Sequence, residues 1–323
     1  MGFTFNKAFI TDLLREKLGF KGYVNTDTGA AVGMAWGVED LPLEARAAKA
    51  LEAGTNIFSG HSNPQPIIEA VKQGLVCEEK INRSVTYLLT EMMNLGLFEN
   101  PYVDPKRALE AVNDPEAKEK ANLAHRKSIV LLRNDQNLLP LTNNKIKRMK
   151  LYVESFPAGE QNADTKALKE TIHQYDPSIT LTDHLAEATH AFVWIKPKQD
   201  LLSKQPVISI GPDTQIDHKN RIIEIQKTVP TITAINFSSP WLIQEIEPHA
   251  AAVIGTFGVK TEALIDVIRG SFNPTGRLPL TIPASQEAVA NEKMDVPGYD
   301  EAPTYVYQAK SGAKYRYGFG LTY

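Results

Sequence analysis

The chain has 323 residues, 42% hydrophobic and 23% charged, with a net charge of −3. That is a globular composition long enough for about two domains, with no broad electrostatic case for nucleic acid or an anionic membrane as partner. Cys77 is the only cysteine, so an intrachain disulfide and a cysteine-built zinc site are both excluded. No run of eighteen apolar residues is present, and Met1–Lys7 lacks the basic start and apolar core of a signal peptide, so the chain as it stands reads as cytoplasmic.

Apolar residues Phe9, Ile10, Leu13, Leu14 and Leu18 fall at helical spacing and predict an amphipathic helix over 6–18. A short strand follows, Gly22-Tyr23-Val24-Asn25-Thr26, and runs straight into Asp27. Helices are expected over 42–53, 64–74 and 78–96, with a strand at Thr55-Asn56-Ile57-Phe58. Strand, helix, strand, helix describes two βα units of a parallel sheet.

Asn100-Pro101-Tyr102-Val103-Asp104-Pro105 is a turn-rich boundary. Residues 115–132 read as one long helix that ends in Ile129-Val130-Leu131-Leu132. A second α/β region follows, with strands expected at 148–153, 190–195, 231–236 and 251–256. Helices are expected near 163–174, 216–228, 239–247 and 260–269, and the glycine-, proline- and tyrosine-rich remainder from 271 reads as an irregular wrap. Alternation of this kind calls for a sheet covered on both faces.

The phosphate cradles G-x-G-x-x-G and G-x-x-x-x-G-K-[ST], the serine elbow G-x-S-x-G and histidine pairs at metal-ligand spacing are all missing. No cofactor or metal is expected. Carboxylates remain, and Asp27 is the best placed, because α/β enzymes keep chemistry at the carboxyl ends of strands. A strand-end aspartate also commonly caps a helix or accepts loop hydrogen bonds. Asn25 and Thr26 are positioned to fix its rotamer. Trp36 lies nine residues on, where an exposed indole suits a sugar face and a packed one is ordinary core.

Six segments in order resemble glycoside hydrolase family 3, the β-glucosidase and β-xylosidase type. Leu14-Arg15-Glu16-Lys17-Leu18-Gly19-Phe20-Lys21-Gly22-Tyr23-Val24 with Thr26-Asp27 resembles the nucleophile segment, and Ala53-Gly54-Thr55-Asn56 the next barrel strand. Leu95-Gly96-Leu97-Phe98-Glu99-Asn100-Pro101-Tyr102 resembles the barrel exit. Lys127-Ser128-Ile129-Val130-Leu131-Leu132-Arg133-Asn134 with Leu138-Leu139-Pro140-Leu141 resembles the entry to a second domain. Gly270 with Asn273-Pro274-Thr275-Gly276-Arg277-Leu278-Pro279, and Tyr317-Gly318-Phe319-Gly320-Leu321-Thr322-Tyr323, resemble its closing motifs.

The resemblance implies an α/β chain in which residues 1–100 supply the last two βα units of a (β/α)8 barrel. Residues 101–129 form a linker and helix, and 130–323 an α/β sandwich with a mainly parallel sheet. It implies a retaining glycosidase acting on terminal β-linked sugars, with two carboxyl groups about 5–5.5 Å apart. Asp27 matches the nucleophile. Many members carry Ser-Asp-Trp where this chain has Thr26-Asp27-Thr28, so Thr26 keeps the hydroxyl while Trp36 is the candidate replacement for the lost sugar-stacking wall. The acid/base of two-domain members is a glutamate on the loop after a strand like 191–195. Here Lys196-Pro197-Lys198-Gln199-Asp200-Leu201-Leu202-Ser203-Lys204 has no glutamate, leaving Asp200, with Glu39 and Asp40 on the Asp27 loop as alternatives.

A whole barrel takes about 250 residues, more than this chain devotes to it. Three expectations follow: a partial glycosidase chain, the carboxyl half of a two-chain enzyme, or a non-catalytic carbohydrate-binding or interaction module. The implied partners are a β-linked oligosaccharide or glycoside and the missing barrel half or a second copy, with no nucleic acid and no membrane. Members of the family are often periplasmic or secreted.

Overall fold

The protein was analysed as a computed structural model, which describes residues 2–29, 35–158, 160–197, 218–291 and 304–323. The chain forms two compact units, Met1–Ala111 and Val112–Tyr323.

In the first unit the helix expected over 6–18 runs Ala8–Lys17 and is wound wide, with Leu18 N–H donating to Leu13 O at 2.9 Å, five residues back. Helices α1 (Leu43–Ala53), α2 (Gln65–Lys72) and α3 (Glu78–Asn94) follow at the expected places. Ala48 and Leu51 of α1 pack with Ala70 and Val76, so α1 and α2 share a small core. A short α4 (Pro105–Val112) begins in the turn-rich boundary, where Asp104 Oδ1 accepts from Lys106 N–H. The two expected strands meet in a single parallel bridge, Asn25 opposite Ile57.

The second unit opens with α5 (Pro115–Lys127), capped by the Asp114 carboxylate, which accepts from Ala117 N–H at 2.6 Å. The helix expected over 115–132 stops there. Val130–Asn134 is strand β1 instead, because Ile129, Val130, Leu131 and Leu132 are all buried and a helix would bury only one side of them. Strands β2 (Leu151–Pro157), β3 (Leu181–Thr182), β4 (His190–Lys196), β5 (Thr231–Asn236) and β6 (Ala252–Thr256) complete a six-stranded sheet in the order β1-β6-β5-β4-β2-β3. All neighbours are parallel except β1, which runs antiparallel to β6.

Alternation divides the core. Ala191, Val193 and Ile195 face one layer, and Phe192 and Trp194 face the other. Helix α7 (His218–Thr228) covers the first face with Ile222 and Ile225, while α6 (Gln161–Tyr175) and α8 (Thr261–Arg269) cover the second. Each fully buried isoleucine contributes about 1.5–3 kcal/mol.

The helix expected over 239–247 is absent. Trp241 is pinned instead by its indole N–H to Asn236 O at 3.0 Å, and its backbone N–H turns back to Ser239 O, so the segment buries Trp241, Ile243 and Ile246 as loop.

The described parts of the wrap, 271–291 and 304–323, hold to the sheet by backbone proximity and by a buried charge. A side chain at Gly276 would collide with the carbonyl of Ile129, which explains the glycine. Glu247 is fully buried; it accepts from Arg133 Nη1 at 2.8 Å and from the hydroxyls of Tyr307 at 2.9 Å and Tyr315 at 3.0 Å.

Candidate active site

Asp27 follows the residues that a network of hydrogen bonds holds to the second strand. Thr26 N–H donates to Ile57 O at 2.9 Å, and Asn56 and Ile57 N–H both donate to Val24 O. Asn56 is the hub. Its Oδ1 accepts from Val24 N–H at 2.8 Å and Arg15 Nη2 at 2.7 Å, while its Nδ2 donates to Ser84 Oγ at 3.0 Å. The Arg15 guanidinium lies 4.4 Å from the Tyr87 ring centre and also reaches Gly22 O. Helix, both strands and α3 thus converge on one asparagine.

Ser59 holds the strand end. Its N–H donates to Thr26 Oγ1 and its hydroxyl to Asn25 Oδ1, each at 2.9 Å. Thr26 is buried and its hydroxyl committed to the backbone, so its geometry serves Asp27's placement more directly than a ligand. Asp27 itself is exposed, and its Oδ1 accepts from Thr28 N–H at 2.6 Å. One carboxylate oxygen is therefore oriented while Oδ2 has no partner among the described residues. Gly60 stands against Thr28, and a side chain there would collide with the Thr28 methyl.

Trp36 and Glu39 share one turn, separated from Asp27 by residues that include 30–34, outside the described set. The Trp36 indole is 57% exposed, which favours a contact surface over core packing, and Gly2 N–H fixes its carbonyl at 2.6 Å. Both Glu39 oxygens accept from Gly37 N–H at 2.8 Å, which holds this exposed carboxyl below its ordinary range. A general acid needs the opposite shift. Asp40 is exposed on the same turn.

Asp200 lies outside the described residues. What is described is the root of its loop. Lys196, ending β4, places its ammonium 4.2 Å from the Trp194 ring centre and 2.7 Å from Asp164 Oδ2. Ser238 Oγ donates to Pro197 O at 3.2 Å.

Arg15, Ser59 and Ser84 were not singled out by the sequence reading. Arg15 carried a signal, as an arginine beside the apolar stripe of the first helix. Ser59 lies just past the strand that pairs with Asn25, where a hydroxyl reaches the neighbouring strand end.

A buried, mainly parallel sheet and a strand-end carboxylate on a separate βα unit define a two-part α/β protein. The chain belongs to glycosyl hydrolase family 3: residues 3–90 match the family's N-terminal domain and residues 211–323 its C-terminal domain. It is 32% identical over its whole length to β-glucosidase C of Emericella nidulans and covers 50% of that protein. It is 28% identical to a periplasmic β-glucosidase/β-xylosidase of Dickeya chrysanthemi, over 94% of this chain and 47% of the relative. The crystal structure of a β-glucosidase from Listeria innocua with isofagomine superposes with a TM-score of 0.72 at 18% identity, over 99% of this chain and 50% of that one. The chain thus spans about half the length of the curated relatives it matches.

Proposed function

We propose that this chain is β-glucosidase-like, acting on terminal β-linked sugars by a retaining mechanism with Asp27 as nucleophile. The observation that carries this reading is the locked strand end. Ser59 and Asn56 immobilise the residues before Asp27, and the carboxylate is left exposed with one oxygen oriented and the other without a described partner. A carboxylate held in place by one oxygen, with the other left open, suits attack on an anomeric carbon. The relatives' names support the sugar class, and the Listeria enzyme has been solved with glucose and a mutant of it with laminaribiose.

In this mechanism Asp27 Oδ2 attacks the anomeric carbon and a carboxyl group protonates the departing oxygen, then deprotonates water to release the sugar. Asp200 is the proposed acid/base ahead of Glu39, whose carboxyl is held ionised by Gly37. Trp36 offers the stacking face, and Thr26 supports the site by holding the strand. Hydrolysis of a chromogenic β-glucoside tests the reading: Asp27→Asn should lose on the order of 10³-fold or more in kcat, and unchanged turnover overturns it.

A second reading has a specific observation behind it. The strand pair around Asn25 and Ile57 is only a single parallel bridge, and α3 exposes Val85, Leu89, Met92 and Met93 at helical spacing. We infer that a second polypeptide supplying further βα units completes the barrel sheet. Mixing the chain with a separately made amino-terminal half of a family relative tests this: activity confined to the mixture supports it, and full activity of the chain alone overturns it.

A further inference from the structure

A cavity of about 660 Å³ opens in the second unit at the amino ends of β4, β5 and β6, the sheet edge opposite the Lys196 end of β4. That volume is in the range of small-molecule sites. Its rim is built, not loose. Lys145 donates to the carbonyls of Asn137, Leu138 and Pro140, and Asn134 bonds both backbone groups of Leu139. Gln136 and Asn137 are successive non-glycine residues in the left-handed region, with φ of 51° and 52°. Backbone held there persists only where the surroundings enforce it, and it concentrates at binding sites.

The lining is lopsided in charge. Arg148, Lys227 and Lys310 face the cavity, and no described carboxylate pairs with any of them. The one acid among the described lining residues, Asp135, is already 3.4 Å from the Arg133 guanidinium. The wall also holds Gln226, 7% exposed, whose Nε2 donates to Thr233 Oγ1 at 2.9 Å while its Oε1 has no partner. A buried acceptor left open favours a ligand that brings a hydroxyl. Unpaired cations at a preformed rim favour one that brings an anion.

We propose that this cavity binds a small hydroxylated anion of the sugar-phosphate or sugar-acid class, its anionic group between Arg148 and Lys227 and its hydroxyls toward Gln226. The site is additional to the glycosidase reading and does not rest on it.

Isothermal titration of the full chain with glucose 6-phosphate, gluconate, inorganic phosphate and glucose tests the proposal. At least one of the two hydroxylated anions should bind saturably and at least tenfold tighter than both inorganic phosphate and glucose; which one it is separates the two sources. The double variant Arg148→Ala/Lys227→Ala should weaken that binding tenfold or more with its ligand-free Tm unchanged, and Asp27→Asn should leave it intact. Should the double variant fail to fold, protection of Lys227 from acetylation by the bound anion, read by mass spectrometry, gives the same answer. No saturable binding, inorganic phosphate binding as tightly, no loss in the double variant, or no protection of Lys227 overturns the proposal.

Discussion

Ser59 and Thr26 are joined by a 2.9 Å hydrogen bond from the Ser59 N–H to the Thr26 hydroxyl, and that bond holds the strand end before Asp27. Thr26→Val keeps the shape and removes the acceptor, leaving the Ser59 N–H unpaired. It should cost about 1–3 kcal/mol in the first unit's urea unfolding and lower turnover as well. Thr26→Ser, which keeps the oxygen, should recover most of both.

Gly60 presses on Thr28, whose N–H orients the Asp27 carboxylate. Its φ of +68° also disfavours any side chain. Gly60→Ala should displace Thr28 and lower kcat more than it raises KM, because it misplaces the nucleophile without touching a sugar contact. Steady-state kinetics on a chromogenic glucoside checks the split.

Glu247 is buried without exposure among Arg133, Tyr307 and Tyr315. Burial, and then the Glu247 charge, push both tyrosine hydroxyls far above their ordinary range, so they remain donors. Glu247→Gln removes the nearer and fully buried of the two carboxylates beside Arg133, leaving only Asp135 at 3.4 Å, and should cost about 3–5 kcal/mol in the sandwich's unfolding transition. Tyr315→Phe removes one bond to a charged acceptor and should cost about 1.5–3 kcal/mol.

Asp164 gives a pH dependence. Partial burial pushes its carboxyl up, but hydrogen bonds from Lys196 and Ser155 outweigh that and hold it below its ordinary value of 3.8. A carboxyl lowered by folding contributes stability that is present above its unfolded value and lost as pH falls through the folded one. Asp164→Asn should therefore be less stable than the wild type above about pH 4, and the gap should close below it. Thermal unfolding from pH 7 to pH 2.5 reads both.

Much of the fold was legible because its signals are local. Strands such as Ala191–Ile195 are continuous apolar runs, and α1 lies between Pro42 and Gly54. The errors came where tertiary contacts decide. Ile129–Leu132 follows a good helix without a breaker, and only burial on both faces makes it a strand. Residues 239–247 have helical spacing, but the Trp241 indole anchors them as loop. At the site, Asp27 was visible from its strand. Asn56 as a hub was not, because its partners Arg15, Val24 and Ser84 are distant in sequence.

The most direct test of the central claim is covalent trapping. A 2-deoxy-2-fluoro-β-glucoside with an activated leaving group slows release of a glycosyl-enzyme, and peptide mass spectrometry locates the bond. The experiment is run in the preparation that turns over substrate, with the chain alone or combined with its complementing half. The account predicts a single fluoroglucosyl ester on Asp27, absent from Asp27→Asn. A label on another carboxylate, or turnover with no label on this chain, would contradict it.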